Sequence, residues 1–281
     1  MMMTTSGALR MCDGILLSTP ERYEREAVEG VREWYAETSR SVYVCGPLLP
    51  PVSTNKEDNS EKGAAIVKFL DTTLETHGPN SLLYLSFGTV WWPVDSQKVW
   101  VFIDVLLEMK IPFIMSHASR FAVIPEEVTQ KVQASGLGLL SPWSPQQTIL
   151  AHPATGWFVT HGGHNSVIES VSYGVPMICW PFTADQPANA VHLTDKLQVA
   201  YELIEVRTGE RGLKPIYRTS RVPKGTSEAV REEARDVLTK AFGEDGKQKR
   251  ANIERLQYEL KQAWEEGGPS QRAIADLINS L

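Results

Sequence analysis

From residue 81 onward the chain alternates short apolar runs with stretches of helical spacing. SLLYLSF (81–87), PFIMS (112–116), the run inside GLGLLSPW (136–143), GWFVT (156–160), PMICW (176–180) and VAYEL (199–203) are short and continuously apolar. That is the pattern of strands buried on both faces. Between the first two, DSQKVWVFIDVLLEM (95–109) sets Val99, Phe102, Ile103, Leu106 and Leu107 on one helical face. SPQQTILAH (144–152) predicts a short helix, and residues 163–173 and 186–197 predict two more. Strands separated by amphipathic helices predict an α/β fold, a parallel sheet covered on both faces. Such sheets bind ligands at the carboxyl ends of their strands.

Ahead of this series, GILLST (14–19) and SVYVCG (41–46) read as short strands around a charged amphipathic helix at 20–38, with Pro20 near its start. PLLPPVSTNKEDNSEKG (47–63) carries the prolines and charges of a linker. Behind the series, residues 205–225 predict an irregular excursion, and helices are expected at about 226–242 and 246–266. A last helix is expected from an N-cap at Ser270 through Ile274, Leu277 and Leu281.

Composition narrows the class. With 281 residues and 42% hydrophobic content the chain can build its own core. Cys12, Cys45 and Cys179 are far apart and form no CxxC pair, which points away from a zinc site or disulfide framework and towards a reducing compartment. A net charge of −6 argues against nucleic acid or anionic membrane as partner. No apolar run reaches bilayer-spanning length, and MMMTTSGALRMCDG does not have the layout of a signal peptide. A soluble chain without a transmembrane segment, in the cytoplasm, is expected.

The chemistry concentrates in residues 143–186, WSPQQTILAHPATGWFVTHGGHNSVIESVSYGVPMICWPFTADQ. The strand GWFVT runs into HGGHNS and then into a helix. Gly162 and Gly163 permit a tight turn and close approach of a ligand. The helix start presents unpaired N–H groups and a partial positive charge, a site for phosphate. His161, Asn165 and Ser166 add side-chain donors, so a diphosphate could be held here without a metal. The bland alternative is a capping box, Ser166-x-x-Glu169, that serves only the helix itself. Trp143 would then be an ordinary aromatic and Asp185–Gln186 another helix start. Against this stands their shared position, on loops that follow successive strands of one sheet.

The same stretch resembles the signature box of the family 1 UDP-dependent glycosyltransferases, through WSPQ, HPATGWFVTHGGHNSVIES and GVPMICWPFTADQ, and SFGT at 86–89 resembles that family's first glycine turn. The resemblance implies a GT-B carboxy-terminal domain, Rossmann-like, that binds a UDP-sugar. By it, Trp143 would stack on uracil, and Ser144 and Gln146 would hold the base edge and ribose. Glu169 would accept from the ribose hydroxyls. Thr89, His161, Asn165 and Ser166 would contact the phosphates, at the turn through Gly163. Asp185 and Gln186 would hold hydroxyls of the transferred sugar. Plant members often carry tryptophan where this chain has His164, so that sugar contact is altered here. The implied division is 1–46 as a remnant of an amino-terminal acceptor domain, 47–63 as linker, 64–266 as the UDP-sugar-binding domain and 267–281 as a crossover helix.

The implied reaction is inverting hexosyl transfer, UDP-glucose being the first choice of donor, to a small lipophilic acceptor hydroxyl. The absence of a D-x-D motif fits phosphate binding without a metal. Resembling enzymes place their catalytic histidine early in the amino-terminal domain. None of His77, His117, His152, His161, His164 and His192 falls in residues 1–46, so no catalytic residue is named, and a truncated enzyme is expected. The alternative is a non-catalytic UDP-sugar-binding module, or one subunit of a two-chain transferase whose partner chain supplies the amino-terminal domain. An esterase would need G-x-S-x-G, a zinc protease HExxH and a dehydrogenase GxGxxG after its first strand. None is present.

Overall fold

The computed structural model describes residues 5–49 and 61–280. Positions 50–60 of the expected linker, and Leu281 at the end of the expected last helix, lie outside the described residues. By internal contacts the chain divides into two compact units, residues 1–51 with 255–281, and residues 52–254.

The first unit contains α1 (Thr5–Met11), β1 (Gly14–Leu17), α2 (Arg25–Ala36) and β2 (Ser41–Val44). β1 and β2 pair in parallel, Gly14 opposite Ser41 and Leu17 opposite Val44. α2 begins at Arg25 rather than Pro20, because Pro20 opens a turn closed by Tyr23 N donating to its carbonyl at 3.0 Å.

The second unit runs α3 (Glu61–His77), β3 (Leu82–Ser86), α4 (Gln97–Glu108), β4 (Phe113–Ser116), α5 (Glu126–Ser135), β5 (Gly138–Ser141), α6 (Gln146–Ala151) and β6 (Thr155–Thr160). It continues with α7 (His164–Ser172), β7 (Met177–Cys179), α8 (Gln186–Val191), β8 (Ala200–Glu202), α9 (Gly209–Gly212) and α10 (Ser227–Ala241). α11 (Glu244–Gln262) then carries the chain into the first unit, where α12 (Pro269–Ser280) follows.

Among the described residues β3 to β8 form one parallel sheet in the order β5-β4-β3-β6-β7-β8, with helices on both faces. Every residue of β3, β4, β6 and β7 is buried, as continuous apolar runs require of a doubly covered sheet. α4 and α10 share one apolar cluster with it, Val99, Phe102 and Leu106 meeting Val230, Ala234 and Leu238. Thr226 caps α10, its side chain accepting from Ala229 N at 3.2 Å. Trp157 of β6 donates its indole N–H to Ala241 O at 3.1 Å, fixing the far end of α10.

Several expectations are corrected. α3 and α5 were not predicted: α3 starts inside the segment read as linker, and α5 buries only Val128 and Val132 before Gly136 ends it at φ 65°. The helix expected over 186–197 stops at Val191 and continues as a π-helical turn, His192–Lys196. Ser270 is not an N-cap. It lies inside α12, buried, and donates to Gly46 O at 2.7 Å, while Pro269 opens the helix.

The excursion after β8 is tied down by buried charge. Lys98 of α4 donates to Glu205 O at 3.0 Å and Arg207 O at 2.8 Å, and its burial pulls the ammonium below its usual range. Glu233 of α10 accepts from the amides of Ile204 and Glu205, and Arg221 pairs with both Glu205 and Glu233. Among the described residues no helix is long and apolar enough to cross a membrane.

Candidate functional site

β6 ends at Thr160, and His161-Gly162-Gly163 turns the chain into α7. Gly162 sits at φ 81°, a conformation that a Cβ disfavours, and donates its N–H to Thr160 Oγ1 at 3.2 Å. α7 starts at His164 after Gly163, with no side-chain cap. The capping box is therefore not formed: Ser166 is already in the first turn, and Glu169 turns outward to other partners. The amide of His164 donates to Asp185 Oδ2 at 3.0 Å. The amides of Asn165 and Ser166 have no acceptor among the described residues. These are the orphan donors of a helix start, aimed out of the turn.

The His161 ring lies in a slot between two glycines. A Cβ on Gly163 would stand 2.5 Å from His161 Nε2, and one on Gly88 3.1 Å from Cε1. Burial lowers the pKa of the imidazole, and the Asp185 carboxylate offsets part of this. His161 Nδ1 is buried without a hydrogen-bond partner among the described residues.

All twelve residues singled out in the sequence line one cavity of about 590 Å³ around this turn: Thr89, Trp143, Ser144, Gln146, His161, Gly163, His164, Asn165, Ser166, Glu169, Asp185 and Gln186. Trp143 is 47% exposed and offers an open indole face at the rim. Ser141 Oγ donates to its carbonyl. Ser144 Oγ is buried and has no hydrogen-bond partner among the described residues. Gln146 and Gln147 both donate to the Glu169 carboxylate, Gln147 at 3.2 Å to Oε1. Tyr84, buried in β3, donates to Gln146 Oε1 at 3.4 Å, and burial drives its phenol pKa upward.

At the other end Asp185 Oδ2 also accepts from Asn189 Nδ2 at 2.9 Å, and Asn189 donates to Gly162 O at 2.8 Å. Gln186 is buried and its Oε1 accepts the amides of Phe182 (2.9 Å) and Thr183 (3.1 Å), which leaves its NH₂ to point elsewhere. Thr89 is on the exposed loop after β3.

The sequence reading missed Tyr84, Ser116, Val90 and Trp91 in the lining, and Gln147 and Asn189 in support. Two signals were available: the doubled glutamine of WSPQQ, and the i,i+4 spacing of Asp185, just before α8, and Asn189 within it.

Among the described residues no lysine or arginine lines the cavity. Its full charges are the carboxylates of Glu169 and Asp185, and its titratable bases are His161 and His164. An anion here would be held by the α7 start and by neutral donors. A planar ring fits Trp143, and paired hydroxyls fit the fixed carboxylates. Among the described residues no group of three His, Cys, Asp or Glu is placed to hold a metal ion.

The family model described as UDP-glucoronosyl and UDP-glucosyl transferase matches residues 20–210. UDP-glycosyltransferase eriJ of Hericium erinaceus is 37% identical over 97% of this chain and 55% of its own length. Hydroquinone glucosyltransferase of Rauvolfia serpentina is 30% identical over 95% of this chain and 55% of its own length. The chain thus spans about half the length of these curated relatives. Among solved structures, UGT2 of Phytolacca americana, complexed with UDP-2-fluoro-glucose and pterostilbene, has a TM-score of 0.69 at 27% identity, over 96% of this chain and 53% of that one. A UGT transferase from Siraitia grosvenorii in complex with UDP has a TM-score of 0.72 at 26% identity, over 97% of this chain and 57% of that one.

Proposed function

Since the chain belongs to the family of UDP-glucuronosyl and UDP-glucosyl transferases, we propose that the cavity at the start of α7 binds a UDP-hexose and presents its sugar for inverting transfer to a small acceptor hydroxyl. The observation that carries this reading is convergence. An open indole, a clamped carboxylate, a helix start with free amides and an Asp–Gln pair line one cavity, and these chemistries suit base, ribose, diphosphate and sugar.

In this reading Trp143 stacks on uracil, and Ser144 and Gln146 hold the base edge and ribose. Glu169, oriented by Gln146 and Gln147, accepts from the ribose hydroxyls. The amides of Asn165 and Ser166, with the side chains of Thr89, His161, Asn165 and Ser166, hold the diphosphate without a metal, and Gly163 leaves room for it. Asp185 and the Gln186 amide meet sugar hydroxyls, and His164 stands beside them. With two carboxylates and no lysine or arginine among the described residues of the lining, the site suits a neutral hexose such as glucose better than a uronate.

In the transfer the acceptor oxygen bonds to the anomeric carbon as the bond from that carbon to the diphosphate breaks. The electron pair leaves with UDP, and the acceptor proton passes to a base. Donors fixed at the α7 start stabilise the charge that grows on the diphosphate. We assign the base to acceptor-side residues outside this cavity, where the family resemblance places it. The lipophilic acceptors are proposed from relatives, whose names and complexes include hydroquinone and pterostilbene. Free thiols at Cys12, Cys45 and Cys179 suit a cytoplasmic setting.

Phosphorus NMR of UDP-glucose provides the test. Adding the chain is expected to shift and broaden both phosphorus resonances. Gly163→Ala should abolish most of this, because φ −65° tolerates alanine while its Cβ displaces His161. Unperturbed resonances with folded wild-type chain would rule the reading out.

A further inference from the structure

The first unit holds a cavity of its own, of about 490 Å³, whose lining falls in residues 20–44 and 259–272. The start of α2, the end of β2, the last turn of α11 and the first turn of α12 meet there. Ser270 Oγ donates to Gly46 O at 2.7 Å and the Tyr43 hydroxyl to Ser280 Oγ at 2.9 Å, which pins α12 along β2 and sets the walls in advance.

Three exposed guanidiniums line this cavity, those of Arg22, Arg25 and Arg272, on a chain whose net charge is −6. Their counter-charges are largely absent. Glu21 is committed to Arg32, which donates to both of its oxygens at 2.7 Å and 2.9 Å and holds its carboxyl below the usual range. Glu259 stands 4.0 Å from Arg22, beyond hydrogen-bond distance. Arg25 has no hydrogen bond or ion pair among the described residues. Arg272 donates to Gly267 O, and a guanidinium carries five N–H donors, so most of its capacity is unspent.

The arginines also sit at the wrong ends of their helices. Arg25 is the first residue of α2, and Arg272 lies in the first turn of α12, which carries no acidic residue. A cation at a helix start faces the positive end of the dipole and costs stability. Glu26, the acid in the first turn of α2, does not line the cavity. Like charge is therefore gathered around a preformed hollow, and an anion would relieve it.

We propose that this cavity binds a small organic anion carrying two or more carboxylate or phosphate groups. The guanidinium fork takes either group in a bidentate pair, which favours arginine over lysine at such a site. The volume exceeds what a single ion fills, and three separate arginines call for more than one anionic group. The proposal stands apart from the donor reading of the α7 cavity.

Calorimetry of the intact chain with citrate and, separately, with pyrophosphate tests it. Arg22→Gln and Arg25→Gln are the variants. Both side chains are exposed and make no hydrogen bond among the described residues, so both proteins should fold, with circular dichroism and Tm as the check. Saturable binding is expected with at least one of the two ions, weakened by about tenfold or more in each variant, as for a hydrogen bond to a charged group. Added salt should weaken it as well, and acetate, with one carboxylate, should bind far less tightly. The tighter of the two ions identifies the preferred group. A folded chain that gives no saturable heat with either ion, or whose binding both variants leave unchanged, overturns the proposal. So does displacement of the ion by UDP, which would put it in the α7 cavity instead.

Discussion

His161 shows how far one side chain can be argued from its surroundings. Its burial between Gly88 and Gly163 lowers its pKa, so the free site holds a neutral imidazole at neutral pH. A diphosphate beside it favours the imidazolium and raises that pKa again. Binding should therefore take up a proton, and UDP affinity should rise as pH falls through the window between the two values. His164, Glu169 and Asp185 line the same cavity, so the assignment needs a variant. Calorimetry near pH 6, close to the ordinary imidazole range, in buffers of different ionisation enthalpy should show proton uptake that His161→Gln removes. Equal uptake in the variant would contradict the assignment. For the free protein the sign reverses. A folded-state pKa below the unfolded one means that acidification through the unfolded value costs stability.

At this scale the sequence was informative about which residues gather, because the twelve positions fall on the loops after β3, β5, β6 and β7 or in the helices that follow those loops, at the edge where a parallel sheet gathers its connections. It was silent on which atoms are already committed. That Gln186 spends its carbonyl on Phe182 and Thr183, and that Gln147 joins Gln146 on Glu169, follow from side-chain directions that spacing does not encode.

Among the elements, the strands and the helices with a wide apolar face were legible: α4 and α10 announce themselves by period. α5 did not, because two valines on an otherwise polar helix give little signal. The capping box failed at this level as well. Its four-residue pattern is present, but α7 begins two residues before Ser166, so the serine is past the position where it could cap. The excursion after β8 was read as irregular, and what holds it is Glu233. Glu233→Ala would strand the buried amides of Ile204 and Glu205 and leave Arg221 short of a partner. A loss of about 3 kcal/mol is expected for such a deletion, seen as a lower urea midpoint. A change below about 1 kcal/mol, the range of a surface contact, would show that the network does not hold the excursion.

For the molecule as a whole, the alternation of buried strands and helices was enough to give a doubly covered parallel sheet, and the one linked set of motifs was enough to give the family. The division into units was harder to read, since the first unit gathers both chain ends and the crossing from 254 to 255 lies inside a continuous helix, α11. The sheet's carboxyl edge also carries an exposed apolar set on the loops after β3 and β4: Val90, Trp91, Val94, Phe121 and Val123. Grouped exposure of this kind favours association. Sedimentation should show the purified chain self-associating and binding a hydrophobic dye, with Val94→Asp combined with Val123→Asp reducing both. A monomer without dye binding would contradict this.

The central claim is that the α7 cavity is a UDP-sugar site, and calorimetric titration of the intact chain with UDP tests it most directly. Saturable binding is expected. Trp143→Ala should weaken it by about 1–3 kcal/mol, the usual worth of a base stacked on an aromatic ring. Glu169→Ala should cost about 1.5–3 kcal/mol, as for hydrogen bonds to a charged group. A folded wild-type chain that gives no heat of binding with UDP, or binding that both variants leave intact, would contradict the account.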